Sequence, residues 1–175
     1  MPKMRPYVAG DWKAVLDLCL LAFAPACASL GRLAGGDLDW RRSIRGHLRS
    51  LTRPGQGGWL VVAELRGSVV GVVQYQVDRE TQSGSIGVSA VHPARQGKGI
   101  GSLMYRHVLG LMSAQGVKYA TADTGADSSH APARCAYEKA GFVAVPTVHY
   151  FKALRAPGSR VPGRAPRQSR GNQRR

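Results

Sequence analysis

The chain has 175 residues, 43% of them hydrophobic, which suits one domain with a real core and leaves little room for a second. Twenty-five Lys and Arg against 10 Asp and Glu give a formal charge of +15, so anionic partners are favoured over cationic ones. The three cysteines, Cys19, Cys27 and Cys135, have neither CxxC nor Cys/His ligand spacing, so we expect reduced thiols and no metal.

In chain order, residues 3–8 can form a short strand. "LCLLAFAPACAS" (18–29), with Lys3 and Arg5 upstream, has the look of a secretory signal. However, Asp11 and Asp17 sit where a signal avoids acids, and Trp12, Val15, Leu16, Cys19, Leu20 and Phe23 follow helical spacing. An amphipathic helix over about 11–26 is therefore expected, closed by Pro25 or by the glycines at 35–36. "DLDWRRSIRGHLRSL" (37–51) reads as a second, very basic helix. After "PGQGG", "WLVVAEL" (59–65) and "SVVGVVQYQV" (68–77) are β-rich runs separated by Arg66-Gly67, a tight hairpin signal, and "SGSIGVSAV" (83–91) continues the meander. "GIGSLMYRHVLGLMSAQG" carries apolar residues at 100, 103, 104, 108, 111 and 112, one face of a helix ended by Gly116. "VKYATAD" is a strand, and "HAPARCAYEKAG" a helix with Pro132 in its first turn and Gly141 at its stop. "FVAV" and "VHYFKAL", around Pro146, predict a last pair of strands. Residues 155–175, with seven Arg, three Pro, three Gly and no acid, read as a disordered basic tail to a domain spanning 1–154. No run reaches the ~18 apolar residues needed to span a membrane, and the odd number of cysteines without ligand spacing leads us to expect a cytoplasmic protein.

The resulting order, β-α-α-β-β-β-α-β-α-β-β, predicts an α/β (α+β) fold. Its mixed, mostly antiparallel sheet would have six to seven strands and helices on both faces. Between the third strand of the meander and the next helix lies "VHPARQGKGIG" (91–101). It is neither a P-loop, lacking GxxxxGK[ST], nor a dinucleotide fingerprint, which would need Gly where Met104 stands. Glycines let the backbone approach a ligand closely, and the first N–H groups of a helix lack internal partners. These groups and the helix dipole suit a pyrophosphate, with Arg95 and Lys98 adding charge.

"RQGKGIGSLM" resembles the Q/R-x-x-G-x-G/A acetyl-CoA motif of the GNAT superfamily of N-acetyltransferases. "ARCAYEKAGF" (133–142) is similar to its second signature, and "HYFKAL" to its closing strand. The resemblance covers about residues 3–154 and implies a GNAT-like fold and acetyl-CoA as cosubstrate. Cofactor contacts would come from Ala90, Val91, Arg95, Gln96, Gly97, Lys98, Gly99, Ile100, Gly101, Ser102 and His130, the last standing where relatives often carry Asn. Pantetheine would lie like an added strand beside 88–91. Tyr137 matches the family tyrosine that commonly protonates the departing thiolate.

Many relatives place a carboxylate on the strand before the loop, but "GVSA" (87–90) has none. Ser89 is left there as a water-ordering group. The candidate bases are His92, Asp123, Asp127, His130 and His149; for His92 a positional role in the loop is expected, and for the aspartates capping is as good a reading as attraction of a cationic amine. Phe23 and Trp40 are expected to wall the acceptor site with Asp123 and Asp127; Leu30, Asp37 and Asp39 lie on the same helices. Arg41, Arg42, Arg45 and Arg49 read first as a solvated face. The expected activity is transfer of the acetyl group of acetyl-CoA to a primary amine of a small molecule or peptide, by direct attack in a ternary complex. A homodimer is a candidate assembly. The alternatives are a protein acting on or bound to RNA or the ribosome through its basic helix and tail, and a CoA-binding fold without catalysis.

Overall fold

The computed structural model describes residues 1–33, 39–52, 58–148 and 150. Its elements run β1 (Lys3–Pro6), α1 (Trp12–Leu33), α2 (Trp40–Leu51), β2 (Trp59–Leu65), β3 (Ser68–Asp78), β4 (Ser83–Val91), α3 (Ile100–Ala114), β5 (Tyr119–Ala122) and α4 (Ala131–Lys139), with short 3-10 turns before α1, α3 and α4. The strands form one sheet in the order β1-β2-β3-β4-β5, antiparallel except for the parallel β4–β5 pair.

Two apolar layers cover the sheet, one on each face. Val61, Val73, Tyr75 and Ile86 meet Met104, Val108 and Met112 of α3 and Tyr137 of α4 on one side. Leu60, Val62, Val72 and Ala90 meet Val15, Leu18 and Cys19 of α1 and Leu48 of α2 on the other. Alternation along β2 assigns successive residues to opposite layers, as the pleat requires, and β3 follows it on either side of a bulge at Val70. Arg5 ties the first elements together. Its guanidinium donates to Asp11 at 2.7 and 2.9 Å and to Glu64 on β2 at 2.7 Å, while the Val8 N–H donates to the same Asp11 carboxylate.

Two expectations need correction. Pro25 does not close the first helix, which continues to Leu33. The carbonyl that Pro25 leaves without an N–H belongs to Leu21, a residue 54% exposed, so water can take that bond. The sheet has five strands among the described residues, not six to seven. Residues 142–148 carry no strand, and Val143, Val145 and Val148 are more than three-quarters exposed. Apolar alternation there is not matched by burial, and Pro146 takes a ladder donor out of the middle of the run. His149, residues 151–154 and the basic segment 155–175 lie outside the described residues, as do Asp37 and the side chain of Leu30.

Candidate active site

The site begins with an irregularity in β4. Val73 faces Ser89 and Tyr75 faces Ile86, so Gly87 and Val88 together oppose Gln74 alone, a β-bulge. The buried Gln74 side chain fills the place of a side chain at 87: a Cβ on Gly87 would lie 1.9 Å from its Oε1. Beyond the bulge the sheet parts. Pairing of β4 with β5 stops at Ile86 and Ala122, while β4 runs on to Val91. Residues 88–91 thus keep backbone groups on the β5 side that no strand among the described residues takes.

The glycine loop follows. A 3-10 turn at Pro93–Arg95 is capped by the His92 ring, whose Nδ1 accepts from the Ala94 N–H at 3.3 Å. Gln96 donates from Nε2 to the Val91 carbonyl at 3.1 Å, fastening the loop to the strand end. Gly97 and Gly99 have φ of 73° and 76°, and Gly99 is the residue from which α3 starts. Gly101 packs against α4, a Cβ there lying 3.3 Å from that of Ala136. The Ser102 hydroxyl donates to the Ala136 carbonyl at 3.4 Å, leaving its role towards a ligand to its backbone N–H.

These pieces line a cleft of about 330 Å³ between β4, the loop, α1, α3 and α4. It brings together most of the anticipated residues: Phe23, Ser89, Ala90, Val91, Arg95, Gln96, Gly97, Gly99, Ile100, Gly101, Ser102 and His130. Lys98, Trp40, Asp123, Asp127 and Tyr137 are not on its wall. Lys98 donates to the Ala94 carbonyl at 3.4 Å, Trp40 lies under the Arg41 guanidinium at 4.5 Å, and Asp123 is exposed. Asp39 caps α2 by accepting from the Arg42 N–H, and Arg41, Arg42, Arg45 and Arg49 are exposed as expected. No Asp or Glu lies among the described lining residues, whereas Arg95 and Lys139 do, so the wall favours anions.

Asp127 stands behind the wall and holds His130. Its Oδ2 lies 2.7 Å from His130 Nδ1, its other oxygen accepts from the Ser129 N–H at 2.9 Å, and it is bonded to the Ser129 hydroxyl. These bonds, the Ser129 hydroxyl first, hold the carboxyl down at about 2, so it is ionised across the working range. Arg134 of α4 fixes the loop by donating to the carbonyls of Gly125 at 2.6 Å and Asp127 at 2.8 Å. With Nδ1–H committed to Asp127, Nε2 of His130 is left as a proton acceptor.

Sequence reasoning missed Tyr105. It lines the cleft, its hydroxyl is 2.8 Å from Ser89 Oγ, and its ring stacks on Tyr137 with centroids 4.3 Å apart and planes 9° apart. Tyr137 is only 6% exposed, also packed edge-on by Phe142. The available signal was a phenol four residues after Gly101, on the side of the helix that faces the next one. Leu21, Ala22 and Ala26 of α1 also line the cleft and were missed, since small or aliphatic side chains on a helix carry no chemical signal of a site.

The Acetyltransferase (GNAT) family model matches residues 26–142. The chain belongs to the GNAT family of acetyltransferases. No curated protein sequence is significantly similar to it. Among solved structures, a GNAT acetyltransferase from Brucella melitensis in complex with acetyl-CoA is similar with a TM-score of 0.55 and 21% identity, over 82% of this chain and 84% of that one. The ribosomal-protein-S18-alanine N-acetyltransferase of Escherichia coli gives 0.61 and 18%, over 83% and 80%. An aminoglycoside acetyltransferase from an uncultured soil metagenomic sample, in complex with sisomicin, gives 0.59 and 16%, over 88% and 97%. As a GNAT protein the chain is an acyltransferase, and acetyl-CoA is the family's cosubstrate. The fit is good in this chain: open space around Gly97 and Gly99, a helix start aimed at the cleft, and an unpaired stretch of β4 beside it. Among the described residues no helix is long and apolar enough to cross a membrane, and no cluster of His, Cys, Asp or Glu suits a metal ion.

Proposed function

We propose that the protein moves the acetyl group of acetyl-CoA directly to a primary amine of a small molecule or peptide. The parting of β4 from β5 beside the αL glycine loop carries this reading, because one continuous surface then offers strand-like bonds to a pantetheine arm and helix N–H groups to a pyrophosphate. Arg95 and Lys139 add charge at the mouth. Residues 88–91, the loop and the first turn of α3 hold the donor so that the thioester meets the bulge region.

Two proton movements accompany the transfer. An alkylamine resembles Lys, with a pKa near ~10.4, so only about a thousandth is neutral near pH 7.4. His130, oriented by Asp127, takes the proton from the arriving ammonium group through Nε2. The departing thiolate gains a proton from the phenol layer of Tyr137 and Tyr105, Tyr137 being the member that the family resemblance points to. Ser89 ends that layer on the strand side. The test is thiol release from acetyl-CoA in a panel of aminoglycosides, amino acids, polyamines and peptides. Turnover with at least one amine is expected, and its absence across the panel, with acetyl-CoA bound, overturns the proposal.

A further inference from the structure

We infer that the acceptor is a primary amine with one positive charge and an apolar substituent, seated against residues 21–26 of α1. The inference rests on the acetyl-transfer reading above and narrows its substrate. Ile100, at the start of α3, belongs to the core layer under α3 and α4, so the donor's pyrophosphate is held from that side of the sheet. α1 covers the opposite side, where Ala22 and Phe23 pack against the other layer. The cleft has wall residues from both sides, which meet at residues 89–91, where β4 has left β5. A donor held from one side leaves α1 as the wall that an acceptor meets.

That wall is apolar. α1 contributes Leu21, Ala22, Phe23, Pro25 and Ala26 to it, and no polar side chain among the described residues. Ala22 and Ala26 lie one turn apart on one face, with the Phe23 ring beside them. Of the four residues expected to meet the acceptor, only Phe23 is on the wall, while Trp40, Asp123 and Asp127 are not. The charged groups on the wall, Arg95 and Lys139, are cations suited to the donor's phosphates. An alkylamine arrives as an ammonium ion, gives up that proton to His130 Nε2 and reacts as a neutral group. A second ammonium on the same molecule keeps its charge. It loses hydration against the α1 wall, and no carboxylate among the described lining residues pairs with it. An alkyl or aromatic substituent gains in the same place, because its burial removes apolar surface from water. The cleft of about 330 Å³ also takes the donor's arm, which favours a substituent the size of a Leu or Phe side chain over an aminoglycoside.

The experiment uses the full chain with acetyl-CoA and two acceptors of equal carbon chain, hexylamine and hexamethylenediamine, with phenethylamine as the aromatic probe and spermidine as the polycation. A difference of one methylene in an apolar site changes kcat/KM by about 10–200-fold, so hexylamine is expected to exceed hexamethylenediamine by about tenfold or more. Phenethylamine should exceed spermidine in the same sense. Ala26→Asp puts a carboxylate on the α1 wall. It should narrow or reverse the hexylamine preference, chiefly through KM, and leave acetyl-CoA affinity within about threefold. Ala22→Asp, one turn away, repeats the test if Ala26→Asp does not fold. A wild-type rate with hexamethylenediamine equal to or above that with hexylamine overturns the inference and leaves acetyl transfer standing. A folded Asp variant that loses acetyl-CoA affinity in step with activity does the same, because α1 then faces the donor. If acetyl-CoA binds and neither these amines nor the panel above is acetylated, both readings fall.

Discussion

Replacing Gly99 with Ala isolates backbone geometry from every other property of the cosubstrate loop. Gly99 has φ 76° and ψ 4°, and nothing lies within 4 Å of where a Cβ would be. An Ala there meets no clash, so the whole effect is the cost of holding an L side chain in the left-handed region, about 1–2 kcal/mol. In the free protein the loop can shed that cost by relaxing. Binding must then restore the geometry, and acetyl-CoA affinity falls by about 5–30-fold, at tenfold per 1.4 kcal/mol. Stability responds less, because Ala also narrows the unfolded ensemble by about 0.4–1 kcal/mol in the opposite direction. Gly99→Asn should lose distinctly less affinity, since Asn enters this region more readily. Gly110, in α3 with ordinary helical φ and open space, is the control: Gly110→Ala should gain up to about 1 kcal/mol of stability and leave affinity alone. Isothermal titration with acetyl-CoA and thermal unfolding of all four proteins give the comparison. A folded Gly99→Ala variant with affinity within twofold of wild type would refute the argument, because the left-handed turn would then not be the geometry that binds.

Gly101→Glu should abolish detectable acetyl-CoA binding in a folded protein: its Cβ already presses on Ala136 at 3.3 Å, and it adds a negative charge beside the pyrophosphate site. Circular dichroism with titration calorimetry checks both halves. Arg5→Met should cost about 1.5–3 kcal/mol by denaturant unfolding, since it removes charge-assisted bonds to Asp11 and Glu64 and leaves the largely buried Asp11 carboxylate with the Val8 N–H. The Asp11 carboxyl is held below its ordinary value, chiefly by Arg5, so its contribution is complete above about pH 4 and is lost as pH falls through the folded-state value. Wild type should accordingly lose stability more steeply than Asp11→Asn in that acid range. Asp127→Asn should lower kcat/KM for the amine about tenfold or more while leaving acetyl-CoA affinity within a few-fold, because it frees the His130 ring without touching the loop; unchanged amine kinetics would remove His130 as the base.

The loop and the helix order were legible because each depends on short-range chemistry. Glycines at 97, 99 and 101 have meaning before any fold is known, and the core helices announce themselves by period. The hairpin at Arg66-Gly67 was readable for the same reason: both residues have positive φ, and the turn joins β2 to β3 as expected. Tyr105 was legible as an inward-facing phenol but not as a site residue. Its partners are Ser89, sixteen residues earlier in another element, and Tyr137, thirty-two residues later, and a helix pattern marks such a phenol simply as another large residue facing inward. Asp127 and His130 were legible as candidates but not as a pair, since their contact depends on a loop that Arg134 holds from α4. The strand expected at "FVAV" failed for a different reason, while most of "VHYFKAL" lies outside the described residues. Val143, Val145 and Val148 have the right composition for a strand, but composition reports a preference for a half-buried pleated surface, and these residues are not buried here.

The bulge in β4 accounts for why the proposed donor surface and the Ser89–Tyr105 contact sit at one point. A regular β4 would continue pairing with β5 past Ala122, and the strand groups at 88–91 would be spent inside the sheet. Setting Gly87 and Val88 against the single residue Gln74 shifts the alternation by one. Before the bulge Ile86 faces the layer of α3, and after it Ser89 and Val91 do, whereas an unbroken strand would have sent Val88 and Ala90 there. One extra residue therefore separates β4 from its parallel neighbour and places a hydroxyl opposite Tyr105. Gln74 keeps the device in place by occupying the room that any side chain at 87 would need. A substitution at Gly87 should thus disturb donor binding and the Ser89–Tyr105 contact together, although Gly87 itself carries no chemistry.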